Sequence, residues 1–318
     1  MPDATPKLPI GRFAPSPTGA LHTGSLTTAV ASWLMARSAG GSWLLRIDDL
    51  DAPRQVPGMT DDIMRTLELF GLYWDGQVSR QSGNREMYRH YFNELLGTGL
   101  VYPCGCSRRE IVLAASAPHP DDDCLPYPGT CRGGMREGAA VRSWRLRVPD
   151  EPVCFEDLHC GVVCQYLGER CGDFAVCRGD GETVYQLAVV VDDHLTGVTQ
   201  VVRGEDLLSS TPRQVYIQTL LGLARPAYCH IPLVAGPNGA KLSKRDNLVS
   251  YHLGSWRGKE SALLLSVLRF LGQDPPRGMA GAPCDEILRW GAGCFDVARL
   301  PAAGGELAVS HAVEPGKS

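Results

Sequence analysis

Arg12-Phe13-Ala14-Pro15-Ser16-Pro17-Thr18-Gly19, a turn-rich stretch, runs into Leu21-His22-Thr23-Gly24-Ser25, after which Leu26, Val30, Trp33 and Leu34 recur at helical spacing. His22 and Gly24 therefore stand at a helix N-terminus. Such an end suits a phosphate: its first backbone N–H groups have no partner within the helix, and the helix dipole turns its positive end outward. Gly24 leaves room for a flat ring against the backbone. Gly40-Gly41 closes the helix, and Trp43-Leu44-Leu45-Arg46-Ile47 reads as a strand that delivers Asp48, Asp49 and Asp51 at its carboxyl end. The unit is strand, helix, strand, the repeat of an α/β nucleotide-binding fold.

Further along, Thr60 caps a helix carrying Ile63, Leu67 and Phe70, and residues 85–96 place Tyr88, Tyr91 or Phe92, and Leu95 on one face. Between residues 100 and 175 the texture changes to cysteines, prolines and glycines with alternating stretches such as Val141 to Arg147, which reads as an insertion. Leu187-Ala188-Val189-Val190-Val191 is apolar throughout, as expected of a parallel strand covered on both faces, and it ends in Asp192-Asp193-His194. Thr199 to Val202 reads as a second strand ending at Arg203-Gly204. Thr211-Pro212 opens a helix to Leu221, and residues 261–271 form a last strong helix. One weaker helical stretch follows Gly272, and there is no internal repeat. The expected division is residues 1–99 and 176–250 as two halves of one α/β domain, 100–175 as the insertion and 251–318 as a short helical remnant.

With 44% hydrophobic and 21% charged residues over 318 positions, the chain can bury a core in two or three lobes, which excludes disorder, collagen and coiled coil. The longest apolar run is too short to span a membrane, and the first residues lack the apolar region of a signal peptide, so a soluble cytoplasmic protein is expected. Without an export signal the twelve cysteines read as thiols, some of them metal ligands. A net charge of −4 gives no global field for nucleic acid, so such a partner must meet a local basic patch.

Gly239-Ala240-Lys241-Leu242-Ser243-Lys244-Arg245 is a glycine-led basic loop. Taken alone it is a solvated turn; combined with His22-x-Gly24 it suggests two arms around a triphosphate in an adenylate-forming site. At this point the chain resembles the class I aminoacyl-tRNA synthetases. Leu21 to Ser25 is similar to their His-x-Gly-His signature with Ser25 at the second histidine, and Lys241 to Arg245 is similar to Lys-Met-Ser-Lys-Ser with Arg245 at the last serine. Arg12 to Gly19, Leu45 to Asp49 and Asp192-Asp193-His194 resemble the glutamate branch, and together these segments cover roughly residues 10–250.

The resemblance implies a Rossmann-like catalytic domain with a zinc-binding insertion, and a reaction in which glutamate and ATP form glutamyl-adenylate. Only residues 246–318 follow the basic loop, which leaves no room for the anticodon-binding domain of a full-length member. The expectation is therefore a short paralogue that attaches glutamate to the queuosine base in the anticodon of tRNA(Asp). The rivals are a compact glutamyl-tRNA synthetase that charges a 3′ end and a catalytically silent protein that binds tRNA or nucleotide.

By resemblance, His22, Lys241 and Lys244 stabilise transition-state charge, and Gly24, Ser25 and Ser243 join them around ATP. Arg12 then holds the glutamate side chain, Arg203 its other end and Asp48 its ammonium, where the family usually has Glu. Phe13, Ala14, Pro15, Ser16 and Tyr185 complete that pocket. A dicarboxylic amino acid needs this balance of two cations and one anion, although an isolated arginine or aspartate would be a surface ion pair. Mg²⁺ accompanies ATP, with no protein ligands assigned, and a monomer is expected.

Cys104-Gly105-Cys106 followed by Cys131 has the density of a metal site in a loop-rich lobe. The family's pattern gives one zinc held by Cys104, Cys106, Tyr127 and Cys131; spacing alone favours Cys124 over Tyr127, because thiolate is the commoner ligand. Cys160, Cys164, Cys171 and Cys177 read as buried hydrophobic thiols. Arg132, Arg136, Arg142, Arg145 and Arg147 form a basic stretch, either a solvated strand face or the place for tRNA phosphates.

Overall fold

A computed structural model describes residues 8–114, 126–235 and 257–307. Strand β1 (Ile10–Phe13), helix α1 (Thr23–Ser38) and strand β2 (Ser42–Ile47) form the unit read from the sequence, with Ile10 to Phe13 paired in parallel with Ser42 to Leu45. Helix α2 (Met59–Leu69) starts behind Gly58, whose φ of 77° suits glycine, so Thr60 lies inside the helix instead of capping it. Strand β3 (Ser79–Arg80) and helix α3 (Arg85–Gly97) follow, the helix burying Tyr88, Tyr91 and Leu95.

Next come β4 (Val101–Cys104), α4 (Arg108–Ala114), β5 (Ser143–Leu146), β6 (Val153–Asp157), β7 (Gly161–Gln165), the single-turn α5 (Leu167–Arg170) and β8 (Phe174–Arg178). The chain continues through α6 (Tyr185–Leu195), β9 (Gln200–Gly204), α7 (Thr211–Leu220), β10 (Ala227–Ile231) and β11 (Val234–Ala235). It closes with α8 (Glu260–Phe270), α9 (Cys284–Cys294) and β12 (Gly305–Glu306), so the weaker stretch after Gly272 is a helix.

The large sheet has the order β3-β2-β1-β9-β10-β6-β7, parallel except for β7, which returns antiparallel to β6. β4, β5 and β8 form a separate antiparallel sheet. Within the segment read as an insertion, β6 and β7 thus continue the large sheet, and β8 crosses the expected boundary at residue 175.

One expectation is overturned. Leu187 to Val191 is not a strand: these residues lie in α6, which is buried from Leu187 through Asp193. A continuous apolar run fits any element covered on all sides, and here tertiary burial overrides the β preference of three valines. The strand beside β1 is β9, and Asp192, Asp193 and His194 occupy the last turns of a helix instead of a strand end.

The main core lies between β1, β2 and helices α1, α2, α8 and α9, where Leu26, Val30, Leu34, Trp43, Leu264, Leu268 and Ile287 are fully buried. Each such aliphatic side chain contributes about 1.5–3 kcal/mol on burial. Gly291 permits the close approach of α9 to α1, since a Cβ there would stand 2.9 Å from Leu34 Cδ2.

The cysteines depart from expectation as well. Cys154 and Cys164 face each other across the β6–β7 pair and form a disulfide. Cys160 is exposed, and of the four cysteines read as buried thiols only Cys171 and Cys177 are so. The error came from treating each cysteine singly: two of them equidistant from a hairpin turn sit directly opposite in antiparallel register.

Candidate functional site

The strand order reverses between β1 and β9, and at such a switch point the loops leaving the carboxyl ends diverge and open a crevice. A cleft of about 630 Å³ lies there. Arg12, Phe13, Ala14, Pro15, Ser16, Asp48, Tyr185 and Arg203 all line it, as do His22, Gly24 and Ser25. Lys241, Ser243 and Lys244 lie outside the described residues, as does Cys124.

At the helix end of the cleft, His22 is the N-cap of α1 in extended backbone, and its Nδ1 accepts the Ser25 N–H at 3.2 Å. That bond leaves the imidazole proton on Nε2, where it can be donated to an anion beside the first turn. Gly24 makes the arrangement possible, because a Cβ there would stand 3.2 Å from the His22 ring.

At the other end, charge is organised in two ways. Arg12 Nε donates to Asp193 at 3.2 Å, and Arg46 Nη1 donates to the same carboxylate at 2.6 Å. Arg46 Nε also donates to Asp48 at 2.7 Å and stands 3.7 Å from Asp192. Asp192 in turn accepts from Gln81, Asn84 and Tyr88. Two guanidiniums meet three carboxylates, leaving one negative charge in excess in a dry wall. Burial accordingly pushes Asp48 up to about 6 although Arg46 pulls it down, while the two arginines keep Asp193 below the ordinary carboxylate range despite its burial. Arg203 is held differently. It donates to His230 (3.0 Å), Thr211 (2.7 Å) and Gln214 (2.8 Å), none of which offers a negative charge, and Nη1 turns toward the Tyr185 hydroxyl at 3.5 Å.

Arg46, Asp193, His230, Thr211 and Gln214 were not singled out from the sequence as site residues. Arg46 and Asp193 lay inside motifs noted for their resemblance, which was the available signal; nothing in the sequence pointed to the other three.

A second cluster lies in the β4–β5–β8 lobe. The sulfurs of Cys104, Cys106 and Cys131 all lie within 4.8 Å of one another, with Cys106 and Cys131 3.6 Å apart. Tyr127 brings its hydroxyl among them, 3.4 Å from Cys104 and 3.8 Å from Cys106. Sulfurs bound tetrahedrally at about 2.3 Å from an ion would stand about 3.8 Å apart, so the spacing fits a metal ion, and the donor set suits a thiophilic one. Tyr127 reaches this position because Gly172, at φ 62°, lets its backbone close; a Cβ at 172 would stand 2.2 Å from the Tyr127 carbonyl oxygen. Arg145 stacks on the Tyr127 ring at 3.8 Å, and with the Tyr127 hydroxyl it holds the Cys104 thiol down at about 7 against its burial; burial and Cys131 push Cys106 up to about 11.

The basic stretch divides. Arg132 pairs with Asp173, Arg145 donates to the Asp173 carbonyl and Arg147 to the Arg132 carbonyl, so these three tie the lobe together. Arg136 and Arg142 remain exposed.

A family model for the catalytic domain of class I tRNA synthetases (E and Q) matches residues 10–282. The chain is 57% identical over 302 residues, 94% of its length and 96% of the relative's, to a protein of Geobacter sulfurreducens named glutamyl-Q tRNA(Asp) synthetase. It is 49% identical over 281 residues to a protein of that name in Dechloromonas aromatica, covering 88% of this chain and 91% of the relative. Among solved structures, a glutamate tRNA ligase from Elizabethkingia meningosepticum in complex with its amino acid superposes with a TM-score of 0.79 at 26% identity, over 95% of this chain and 68% of that one.

Proposed function

Because the chain belongs to the class I tRNA synthetases of the E and Q group, we propose that it forms glutamyl-adenylate from glutamate and ATP and transfers glutamate to the queuosine base in the anticodon of tRNA(Asp). The observation that carries the amino-acid half is the meeting of eleven expected residues in one cleft, around an arginine that has no carboxylate partner among the described residues. The relatives named glutamyl-Q tRNA(Asp) synthetase support the choice of acceptor.

Activation is attack by the glutamate α-carboxylate on the α-phosphorus of ATP, with pyrophosphate leaving, so negative charge grows on the β and γ phosphates. His22 Nε2–H and the backbone N–H groups opening α1 meet that charge without moving a proton. Lys241 and Lys244 are assigned the same task, and Ser243, Gly24 and Ser25 the nucleotide contacts. Arg203 and Arg12 take the two carboxylates of glutamate, Asp48 its ammonium, and Tyr185 with residues 13–16 the remaining wall. Transfer is attack by a queuosine hydroxyl on the activated carbonyl, with AMP leaving, and no protein nucleophile is required.

Mg²⁺ accompanies ATP. Zinc at Cys104, Cys106, Tyr127 and Cys131 supplies a structural cross-link between the end of β4 and residues 127–131. The same reading makes the protein a cytoplasmic monomer. Among the described residues no helix is long and apolar enough to cross a membrane. It also keeps 1–99 and 176–250 as the halves of the catalytic domain, 100–175 as the insertion and 251–318 as the remnant.

The test is transfer of labelled glutamate, with ATP, to tRNA from cells that make queuosine and from cells that cannot. Label that requires queuosine and stays on an anticodon fragment after nuclease digestion is the expected result. Label at the 3′ end of both preparations means a compact glutamyl-tRNA synthetase, and no label in either removes the reading.

A further inference from the structure

We propose that Asp157 and His230, neither of which lines the cleft, are positioning residues for Arg203, locking the imidazole as an acceptor so that the guanidinium presents Nη1 to a substrate carboxylate. This rests on the reading of Arg203 as a glutamate contact.

The chain of contacts begins at the turn between β6 and β7. Asp157 Oδ1 accepts the backbone N–H groups of His159 (3.0 Å), Cys160 (2.9 Å) and His230 (3.2 Å), which fixes the carboxylate before it meets any side chain. Its Oδ2 then lies 2.6 Å from His230 Nδ1. A carboxylate there draws the imidazole proton onto Nδ1 and leaves Nε2 as a bare lone pair. Arg203 Nε stands 3.0 Å from that lone pair. The opposite tautomer, or an imidazolium, would set N–H against N–H; Thr211 Oγ1, also 3.0 Å from Nε2, could take the imidazole proton, and Arg203 Nε–H would then have lost its acceptor in a site where His230 is 0% exposed. Burial and the nearby Arg203 hold His230 below the usual histidine range, in keeping with a neutral ring.

Arg203 has five N–H groups. Nε is taken by His230, and the two on Nη2 by Thr211 Oγ1 and Gln214 Oε1. Nη1 is thereby the edge that faces Tyr185 and the cleft. A guanidinium fork recognises a carboxylate only while its plane is held, and Asp157 and His230 supply one of the constraints on that plane. His230 does so from β10, the strand next to that of Arg203, and Asp157 from β6 on the far side of β10, in a hairpin of the insertion that otherwise lines no part of the cleft.

Two variants separate positioning from mere support. His230→Asn keeps a donor for Asp157 but offers no acceptor to Arg203, whereas His230→Gln can extend an amide oxygen toward Arg203 Nε. In glutamate-dependent ATP–pyrophosphate exchange, His230→Asn is expected to raise the KM for glutamate about tenfold with the KM for ATP unchanged, and His230→Gln to recover most of that loss. Equal glutamate KM values in the two variants, or glutamate and ATP KM values that rise together, overturn the proposal. ¹⁵N spectra of the histidine ring in the whole protein, assigned by loss of one signal in His230→Gln, give a readout independent of substrate. The expected state is Nδ1 protonated and Nε2 bare between about pH 6 and 8, and a proton on Nε2 overturns the proposal even if activity follows the expected pattern. A wild-type enzyme silent toward glutamate removes the functional reading instead, and the ring spectrum then decides this one.

Discussion

The wall of the cleft and the cysteine lobe both bury groups that water would stabilise, and they manage it in opposite ways. Around Arg46, guanidiniums from β1 and β2 meet carboxylates from α6 and the end of β2, and both cations find counter-ions within the protein, with hydrogen-bond donors on Asp192. Around Tyr127, three sulfurs and a hydroxyl crowd one another, and the groups that meet are all of one chemical kind. The first region is complete as folded; the second is a set of donors that, on the proposed reading, would gain its full stability from an ion. The difference teaches which region tolerates loss of a ligand and which tolerates loss of a side chain.

The largest effect is expected from metal removal. Chelation, or Cys131→Ser, should take metal content to zero and destabilise the lobe by several kcal/mol, given that structural zinc contributes on the order of 10 kcal/mol in small domains. Elemental analysis and thermal unfolding would show it, and an unchanged melting curve after chelation would erase the distinction between the two regions. Next is Arg46→Met, which leaves Asp48 and Asp193 short of a cation and should cost about 3–5 kcal/mol in urea unfolding. Arg46 does not line the cleft, so a large loss of stability here contrasts with Arg203→Lys. That change keeps the charge but loses the fork, and should lower kcat/KM for glutamate about ten- to a hundredfold with a smaller change in stability.

Smaller effects come from pH. Asp48, at about 6, must be ionised to hold an ammonium, so kcat/KM for glutamate should fall about tenfold per unit below pH 6 while the KM for ATP stays level. In stability the sign is reversed: folding favours the protonated Asp48, so its contribution is present at low pH and is lost as pH rises from about 4 through 6. Asp157, held down at about 2 by His230 and two backbone N–H groups despite burial, contributes above about pH 4 and loses that contribution as pH falls toward 2. Asp157→Asn should flatten that acid limb by at most about 2 kcal/mol in denaturant titrations at fixed pH. Asp48→Glu, which restores the residue usual in the family, should move the glutamate KM by less than about tenfold.

The first half of the fold was legible because glycines and helical spacing are local: α1, β2 and the His22 cap can each be read within twenty residues of themselves. Valines at 189–191 were not, because their burial depends on α3, α7 and the sheet, which close around α6 only in three dimensions. Arg12 and Asp48 were legible as charges at strand ends, but Asp193 and Arg46 became partners across 147 residues, and no spacing rule connects them. Tyr127 shows the limit on the other side. Ligand chemistry alone preferred Cys124, which lies outside the described residues, and the family's pattern pointed to Tyr127, whose hydroxyl the fold brings among the sulfurs. The Cys154–Cys164 pair could have been read, since a Leu-His-Cys turn followed by Gly161 separates two alternating strands.

The adjacency of β1 and β9 sets an order of assembly. Arg12 reaches the Val202 carbonyl across 190 residues, and Arg46 waits for Asp193 across 147. At ribosomal rates of about 5–20 residues per second, Arg46 therefore leaves the exit tunnel on the order of ten seconds before its counter-ion is made. Until then Asp48, two residues further on, is the one carboxylate of this wall available to Arg46, on a sheet still open on the β1 side. This wall is in that sense a record of delayed closure: it can form only after α6 and β9 have arrived, so no part of the chain made before them can complete it.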